Sequence, residues 1–112
     1  MILTEQIELS ELIKNSKGNY PDRIKFCIDR VQKTVAIDEA YHTDMETELY
    51  NNGSKDENIF GGDIIIDPEI SVVWESHPNI NRNRELGIGN GRLLSDIKIQ
   101  DELFDILKSW II

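Results

Sequence analysis

The chain has little cysteine, little proline and few basic residues for its length. Its 112 residues include one cysteine, three prolines, and 12 Lys plus Arg against 21 Asp plus Glu, for a formal net charge of −9. A single cysteine excludes a disulfide within the chain and is typical of proteins from a reducing compartment. We therefore expect a cytoplasmic protein in which Cys27 is a buried, unreactive thiol.

Long hydrophobic runs and clustered positive charge are also missing. Runs such as 64–66 are far shorter than the roughly 20 apolar residues of a transmembrane helix, and the first residues do not resemble a secretory signal. General nucleic-acid binding needs clustered Lys and Arg to neutralise phosphates, and this acidic chain argues against it. Neither a membrane nor nucleic acid in general is expected as a partner.

The positive charge that is present is unevenly distributed. Arg82, Arg84 and Arg92 lie in residues 78–92, where Glu85 is the only acid, so this segment carries +2 and the remainder −11. A basic loop on an acidic body can orient an anionic partner. The same arginines can instead pair with acids elsewhere on the protein. Both interpretations stay open.

Apolar periodicity predicts the element order β-α-β-β-α-β-β-α. Asp67-Pro68-Glu69 supplies the turn of the second of two hairpins. The fold class is α+β: a single domain over 1–112, with an antiparallel sheet of two hairpins and helices packed on one face. The expected strands cover 2–7, 24–29, 34–37, 61–66 and 70–75, and the expected helices 10–17, 40–50 and 101–111.

The ends and faces of the helices follow from single residues. Tyr41, Met45 and Leu49 recur at a spacing of four and predict the buried stripe of the central helix. A left-handed conformation at Gly53 is expected to end that helix. The other two helices are expected to begin at their N-caps, Ser10 and Asp101.

The densest group of potentially reactive side chains lies in residues 41–61. On a helix, His42 and Glu46 are one turn apart and can share a ligand, whereas Asp44 points elsewhere. His42, Asp44 and Glu46 are therefore the candidate catalytic residues. The alternative is that His42 bonds locally while the acids form a solvated helix face.

A metal at this helix would need ligands from other elements, because zinc sites use three or four protein ligands. The candidate metal ligands are His42, Glu46 and His77, the only other histidine. Asp63 or Glu75 can assist if the ends of their strands come near. No cofactor is predicted, with a divalent metal as the alternative.

Residues 87–92, Gly-Ile-Gly-Asn-Gly-Arg, offer backbone amides with an arginine behind them, a chemistry suited to phosphate or carboxylate. The segment is neither a P-loop nor a dinucleotide fingerprint, because the Lys-Ser/Thr pair and the βαβ unit are missing. An ordinary glycine-rich loop is the alternative. The candidate binding residues are Asn79, Arg82, Arg84, Asn90 and Arg92.

Several short phrases occur in the same order as in a known family, over most of the chain: 7–12 (IELSEL), Asp29, 36–37 (AI), 42–46 (HTDME), Leu49, 52–54 (NGS), 58–61 (NIFG) and 79–80 (NI). Together they resemble an uncharacterised domain-of-unknown-function family of small bacterial and archaeal proteins. The resemblance implies a prokaryotic protein and names no activity. That family usually has tryptophan where Phe60 stands, and the likeness is looser after Asn79.

Three functions are consistent with these features. The leading one is a non-catalytic interaction module that binds a basic protein partner through an acidic surface and the 77–92 loop. The second is a small metal-dependent hydrolase that uses His42 and Glu46. The third is an anion- or nucleotide-binding domain that uses the arginines of the loop. The oligomeric state is left open, with dimerisation through a strand as one option.

Overall fold

A computed structural model describes residues 1–16, 20–75 and 97–112 of the chain. The α+β class and both predicted hairpins are confirmed. Among the described helices, none is long and apolar enough to cross a membrane. In chain order the elements are α1 (Leu9–Asn15), β1 (Arg23–Asp29), β2 (Thr34–Ile37), α2 (His42–Asn51), a 3-10 turn (Asp56–Asn58), β3 (Ile59–Ile65), β4 (Ser71–Trp74) and α3 (Ile97–Trp110).

The four strands form one antiparallel sheet in the order β2-β1-β3-β4. The pairing register aligns Cys27 of β1 with Ala36 of β2 on one side and with Gly61 of β3 on the other. The neighbouring residue Phe26 pairs with Gly62. Residues that pair across an antiparallel sheet point to the same face, so this register decides which side chains meet on each side.

The segment predicted as a first strand, 2–7, is not a strand. Ile2 forms an isolated antiparallel bridge to Ala36, and Ile7 forms an isolated parallel bridge to Ile111. Between these bridges the chain leaves the sheet and crosses to the end of α3, which is why no continuous ladder forms. Main-chain hydrogen bonds of 2.8 and 2.9 Å between residues 1–3 and β2 still cover the outer edge of β2.

One face of the sheet carries the larger hydrophobic cluster, and α1 and α3 cover it. We call it the α3 face. Phe26 lies at its centre with its ring 5.5 Å from that of Trp74 in an edge-to-face contact. Apart from Leu3, the buried members are Leu12 from α1, Ile24, Phe26 and Ile28 from β1, Val35 and Ile37 from β2, Phe60 and Ile64 from β3, and Ile99, Leu103, Ile106 and Leu107 from α3.

The opposite face, which we call the α2 face, is covered by α2, so the helices do not all lie on one face as predicted. Its hydrophobic cluster is smaller and consists of Cys27, Ala36, Met45, Leu49 and Ile59. The prediction failed because the polar residues of β1 made that strand resemble one with a wet side. In the folded protein β1 is central, and even its Asp29 is completely buried.

Helix α2 turns a different side inward from the one predicted. Tyr41 is 64% exposed at the N-cap position, whereas His42, Met45, Glu46 and Leu49 are buried. The buried residues follow the spacing i, i+3, i+4, i+7, which fits a period of 3.6 better than a strict spacing of four. Two polar residues therefore lie under the helix.

Of the three helix caps predicted from the sequence, the structure confirms one. Gly53 has a φ of 89° directly after α2, as expected of a left-handed C-cap. The N-cap of α1 is Glu8, without a side-chain capping bond, and Ser10 lies inside the helix. Helix α3 already includes Ile97, so Asp101 is also an interior residue. Burial of Ile99, one turn before Leu103, extends the apolar stripe upstream and explains the longer helix.

Candidate functional site

His42, at the first position of α2, lies over β3 and is 8% exposed. Its Nε2 is 2.9 Å from the carbonyl oxygen of Gly62 and 3.4 Å from Oδ1 of Asp63. Its Nδ1 is 3.1 Å from Oε2 of Glu75, directly after β4. Both ring nitrogens thus face oxygen acceptors, and only the doubly protonated imidazolium can donate to both sides.

The imidazole can lie this close to the sheet because β3 has no side chain beneath it. A Cβ at Gly61 would be 3.2 Å from Cδ2 of His42, tighter than ordinary van der Waals contact. Cys27, which pairs with Gly61, points its Sγ toward the His42 carbonyl oxygen at 3.6 Å. The Gly61 position therefore provides the slot that fixes the first turn of α2 on the sheet.

Asp63 is the centre of an ion network that extends from His42 across the α2 face. The residue is 3% exposed. Its Oδ2 accepts a hydrogen bond of 3.1 Å from Nη1 of Arg23, and its Oδ1 lies 3.5 Å from Nζ of Lys25. Arg23 also pairs with Asp22 at 3.0 Å. Alternating charges on β1 and β3 thus compensate the burial of the Asp63 carboxylate.

The network shifts two pKa values in opposite directions. Burial disfavours the charged form of His42, but the hydrogen bond to Asp63, the Gly62 carbonyl and the charge of Glu75 together raise the pKa of His42 above its usual value. Burial alone would raise the pKa of Asp63. The hydrogen bond from His42 and the charges of Lys25 and His42 outweigh burial and lower it. The folded state therefore favours the ion pair.

Cys27 is not a nucleophile in this environment. It is completely buried, and burial, followed by the charges of Glu46 and Glu75, raises the pKa of its thiol well above the usual range. A reactive cysteine needs a stabilised thiolate and access to solvent. The buried position agrees with the expectation from sequence.

A second polar group lies toward the other end of α2. Tyr50 donates from its hydroxyl toward Oε1 of Glu46 at 3.0 Å and also contacts the carboxylate of Asp56. Burial, followed by the hydrogen bond to Asp56 and the charge of Glu46, raises the pKa of the Tyr50 hydroxyl. Glu46 itself is 9% exposed, so it is not the solvated residue that a simple helical wheel suggests.

The predicted site residues are thus only partly brought together. His42 and Glu46 are buried under α2, while Asp44 is exposed on the outer side of the helix. Asp63 and Glu75, considered from sequence as helpers, both lie at His42. Within the ranges that the structure describes, no group of three or more His, Cys, Asp or Glu is arranged to hold a metal ion.

The remaining candidates lie outside the described residues. They are His77 as a metal ligand, and Asn79, Arg82, Arg84, Asn90 and Arg92 as binding residues. The metal and anion sites stay predictions from sequence. A metal at either nitrogen of His42 would have to displace one of the oxygen contacts given above.

Sequence reasoning did not identify Arg23 and Lys25 as members of the site. Their spacing of two on a strand places them on one face, which is a usable signal. Only the pairing of Lys25 with Asp63 in the β1–β3 register, however, shows which acid they meet.

Comparison with known proteins adds a family and no activity. Residues 1–109 match the model of a family described as "Protein of unknown function (DUF5674)". The chain belongs to this family. No curated protein and no solved structure matches the chain. Membership in DUF5674 confirms the resemblance to an uncharacterised family, whereas its bacterial and archaeal distribution stays a prediction. Function therefore has to be argued from the site.

Proposed function

We propose that this protein is a non-catalytic module that recognises a basic protein partner through the acidic surface around α2. The observation that carries the proposal is the concentration of charge there. Residues 38–58 contain seven Asp and Glu and a single lysine, a formal charge of −6 out of −9 for the whole chain, and five of the seven acids are at least partly exposed. We call residues 38–58 the acidic segment. Concentrated charge of one sign steers an oppositely charged partner and accelerates association.

The acidic segment also offers exposed aromatic groups. Tyr41 is 64% exposed and Tyr50 is 39% exposed, and Asp44 and Glu57 are exposed as well. Tyrosine is enriched among the residues that dominate binding energy at protein interfaces. Exposed tyrosines within a field of carboxylates suit a partner that presents Lys or Arg side chains, through both charge and cation–π contacts.

The ion network beneath α2 supports a recognition role over acid–base chemistry. Both nitrogens of His42 already face oxygen atoms, and Asp63 already accepts from Arg23. A general base needs a free lone pair within reach of a substrate proton. The network instead fixes the start of α2 on the sheet and thereby holds the acidic segment in place. A contribution of the 77–92 loop to the same partner is predicted from sequence alone.

The proposal is tested with two double variants of equal charge. Asp44→Asn/Glu57→Gln removes two exposed acids of the acidic segment, and Glu5→Gln/Asp101→Asn removes two exposed acids elsewhere. The immobilised wild-type protein is used to capture and identify a partner from an extract of the source cells, and its affinity is then measured at low and high salt.

We expect the partner to be basic and its affinity to fall about tenfold or more between about 0.05 and about 0.5 M salt. The first double variant should bind more weakly, while the second should bind like the wild type. Binding that does not depend on salt, or that both double variants weaken equally, would contradict the proposal.

A further inference from the structure

Within the described residues, only one of the two outer edges of the sheet is covered. Residues 1–3 cover the edge of β2, whereas among the described residues no main-chain group forms a hydrogen bond with the outer edge of β4. Ser71 and Val73 are exposed on this strand, Val73 to 43%. An open edge presents unpaired N–H and C=O groups that can pair with another strand.

An apolar groove of about 410 Å³ adjoins this edge on the α3 face. Ile70 and Phe104 on its rim are 59% and 41% exposed. An exposed apolar area next to an open strand edge is the kind of surface that protein contacts cover. The residues that line the groove include Ile64, Ile70, Val72, Trp74, Phe104 and Leu107.

We propose that β4 pairs in antiparallel fashion with β4 of a second copy of this chain, so that the two sheets join across a two-fold axis. This proposal is independent of the acidic segment and of any partner bound there. It rests on the hydrogen-bonding direction of the strand and on the charges that each pairing register brings together.

The main chain of β4 fixes which groups point outward. The N–H of Glu75 donates to the carbonyl oxygen of Gly61 at 2.9 Å. Hydrogen-bonding direction alternates along an antiparallel strand, so Val73 also bonds to β3, and the main-chain groups of Val72 and Trp74 point outward. With a two-fold axis at Val73, Val72 of each copy pairs with Trp74 of the other copy. The outward N–H and C=O groups of Val72 and Trp74 then form hydrogen bonds in both strands.

Charge selects this register over its nearest alternative. With the axis at Val73, Ser71 lies opposite Glu75 of the second copy, and no two like charges face each other between residues 71 and 75. With the axis at Val72, the pairing would be centred one residue nearer the bend that precedes β4, which would bring Glu69 of that bend toward Glu75 of the second copy, and like charges close together across a strand pair are destabilising. The axis at Val73 is therefore favoured.

Charge also explains why a second copy suits this edge. Residues 70–74 are Ile-Ser-Val-Val-Trp and carry no charge, on a chain with a net charge of −9. Two acidic copies approach each other with least repulsion where neither carries charge. Natural edge strands that avoid pairing commonly carry lysine or proline, and residues 70–74 contain neither.

The first test is the mass of the full chain in solution, measured by analytical ultracentrifugation over about two decades of concentration. We expect a concentration-dependent species of twice 12.9 kDa. Val73→Lys places a charge at the axis and should raise the dimer dissociation constant about tenfold or more. Val31→Lys is the matched control, because Val31 is 66% exposed in the β1–β2 turn. A monomer at every concentration, or equal effects of the two variants, would overturn the proposal.

The second test addresses the register with single cysteines. In the proposed dimer the two copies of residue 73 face each other as a non-hydrogen-bonded pair, about 4.5 Å apart at Cα, which suits a disulfide. Val73→Cys should therefore form a covalent dimer under mild oxidation, whereas Val72→Cys should not. Native Cys27 is completely buried and does not compete. Cross-linking at position 72 in preference to 73, or at neither position, would overturn the pairing.

Discussion

The two faces of the sheet are built from different chemistry. On the α3 face, three helical turns of aliphatic side chains pack against aromatic and aliphatic residues of all four strands. On the α2 face, a small apolar cluster lies beside four buried polar residues, Asp29, His42, Glu46 and Asp63. Apolar burial is the main source of stability, whereas buried ion pairs contribute little net stability and depend strongly on every partner being present. The α3 face therefore holds the fold together, and the α2 face fixes the position of one helix.

The largest predicted effect compares the same substitution on the two faces. Leu103 and Leu49 are both completely buried helical leucines, on the α3 and α2 faces respectively. We expect Leu103→Ala to lower the free energy of unfolding by about 3–5 kcal/mol and Leu49→Ala by about 2–3 kcal/mol, because the smaller cluster leaves a cavity that can close more easily. Urea unfolding of both variants measures this difference. Equal losses would show that the two faces contribute alike.

The next effect concerns adjacent glycines that face opposite sides of β3. A Cβ at Gly62 would lie 2.7 Å from the Val73 carbonyl oxygen and 2.7 Å from Cζ of Phe26, whereas one at Gly61 would lie 3.2 Å from the His42 ring. We expect Gly62→Ala to cost about 3 kcal/mol and Gly61→Ala about 1 kcal/mol, since only the first substitution pushes against a main chain. Thermal melts rank the two variants. The reverse order would mean that the α2 face is the less adaptable one.

A third prediction removes the centre of the ion network. Asp63→Asn should lower the free energy of unfolding by about 2 kcal/mol, because it leaves His42 and Lys25 without their shared carboxylate while Arg23 keeps Asp22. The control is Asp44→Asn on the exposed side of α2, which should stay within about 0.5 kcal/mol of wild type. Similar results for the two variants would contradict a structural role for the network.

The smallest predicted effect is a dependence of stability on pH. Since folding raises the pKa of His42, its contribution is fully present below the unfolded value of about 6.5 and is lost as the pH rises through the folded pKa. Folding lowers the pKa of Asp63, so that contribution is present above about pH 4 and is lost as the pH falls through the folded pKa. The stability contributions of His42 and Asp63 are therefore both fully present between about pH 4 and about pH 6.5.

Unfolding of the wild type and of His42→Gln at about pH 6 and about pH 9 measures the histidine part. The wild type should lose more stability than the variant over this interval, because only the wild type loses the imidazolium. His77 is present in both proteins, so its titration cancels in the comparison. Equal pH dependence in the two proteins would show that titration of His42 does not contribute to stability.

The same contrast explains what could be predicted from the sequence. Alternation of Ile24, Phe26 and Ile28 correctly indicated the strand and its α3 face. The same alternation made Asp29 resemble a solvated residue, although its Oδ1 accepts two backbone hydrogen bonds of 2.9 Å inside the β1–β2 turn. A local pattern shows which residues share a face, and it does not show whether a distant helix covers that face.

The sequence indicated several residues of the candidate site, but it did not indicate how they are arranged. His42 was singled out from the sequence, with Asp63 and Glu75 as conditional helpers, and the structure brings the three side chains together. These three side chains come together only because of the β3–β4 register and because α2 turns His42 toward the sheet. The spacing of four in the sequence predicted that Tyr41, and not His42, would face inward. An error of one residue in the phase of a helix turns its inner side by about 100°, and no local signal in this sequence corrects it.

The paired glycines have a consequence for how the chain can vary in length. Gly61 receives the ring of His42, and Gly62 receives the ring of Phe26 together with the approach of β4. A one-residue insertion or deletion in β3 before them would turn every following side chain of the strand to the opposite face. An insertion would move Gly61 to the position of Gly62 and place a side chain under the His42 ring, and a deletion would place Asp63 against the ring of Phe26. Because a single change would disturb both faces, β3 should tolerate substitutions better than changes of length. Insertions in related chains are then expected between the strands and helices, and not within this strand.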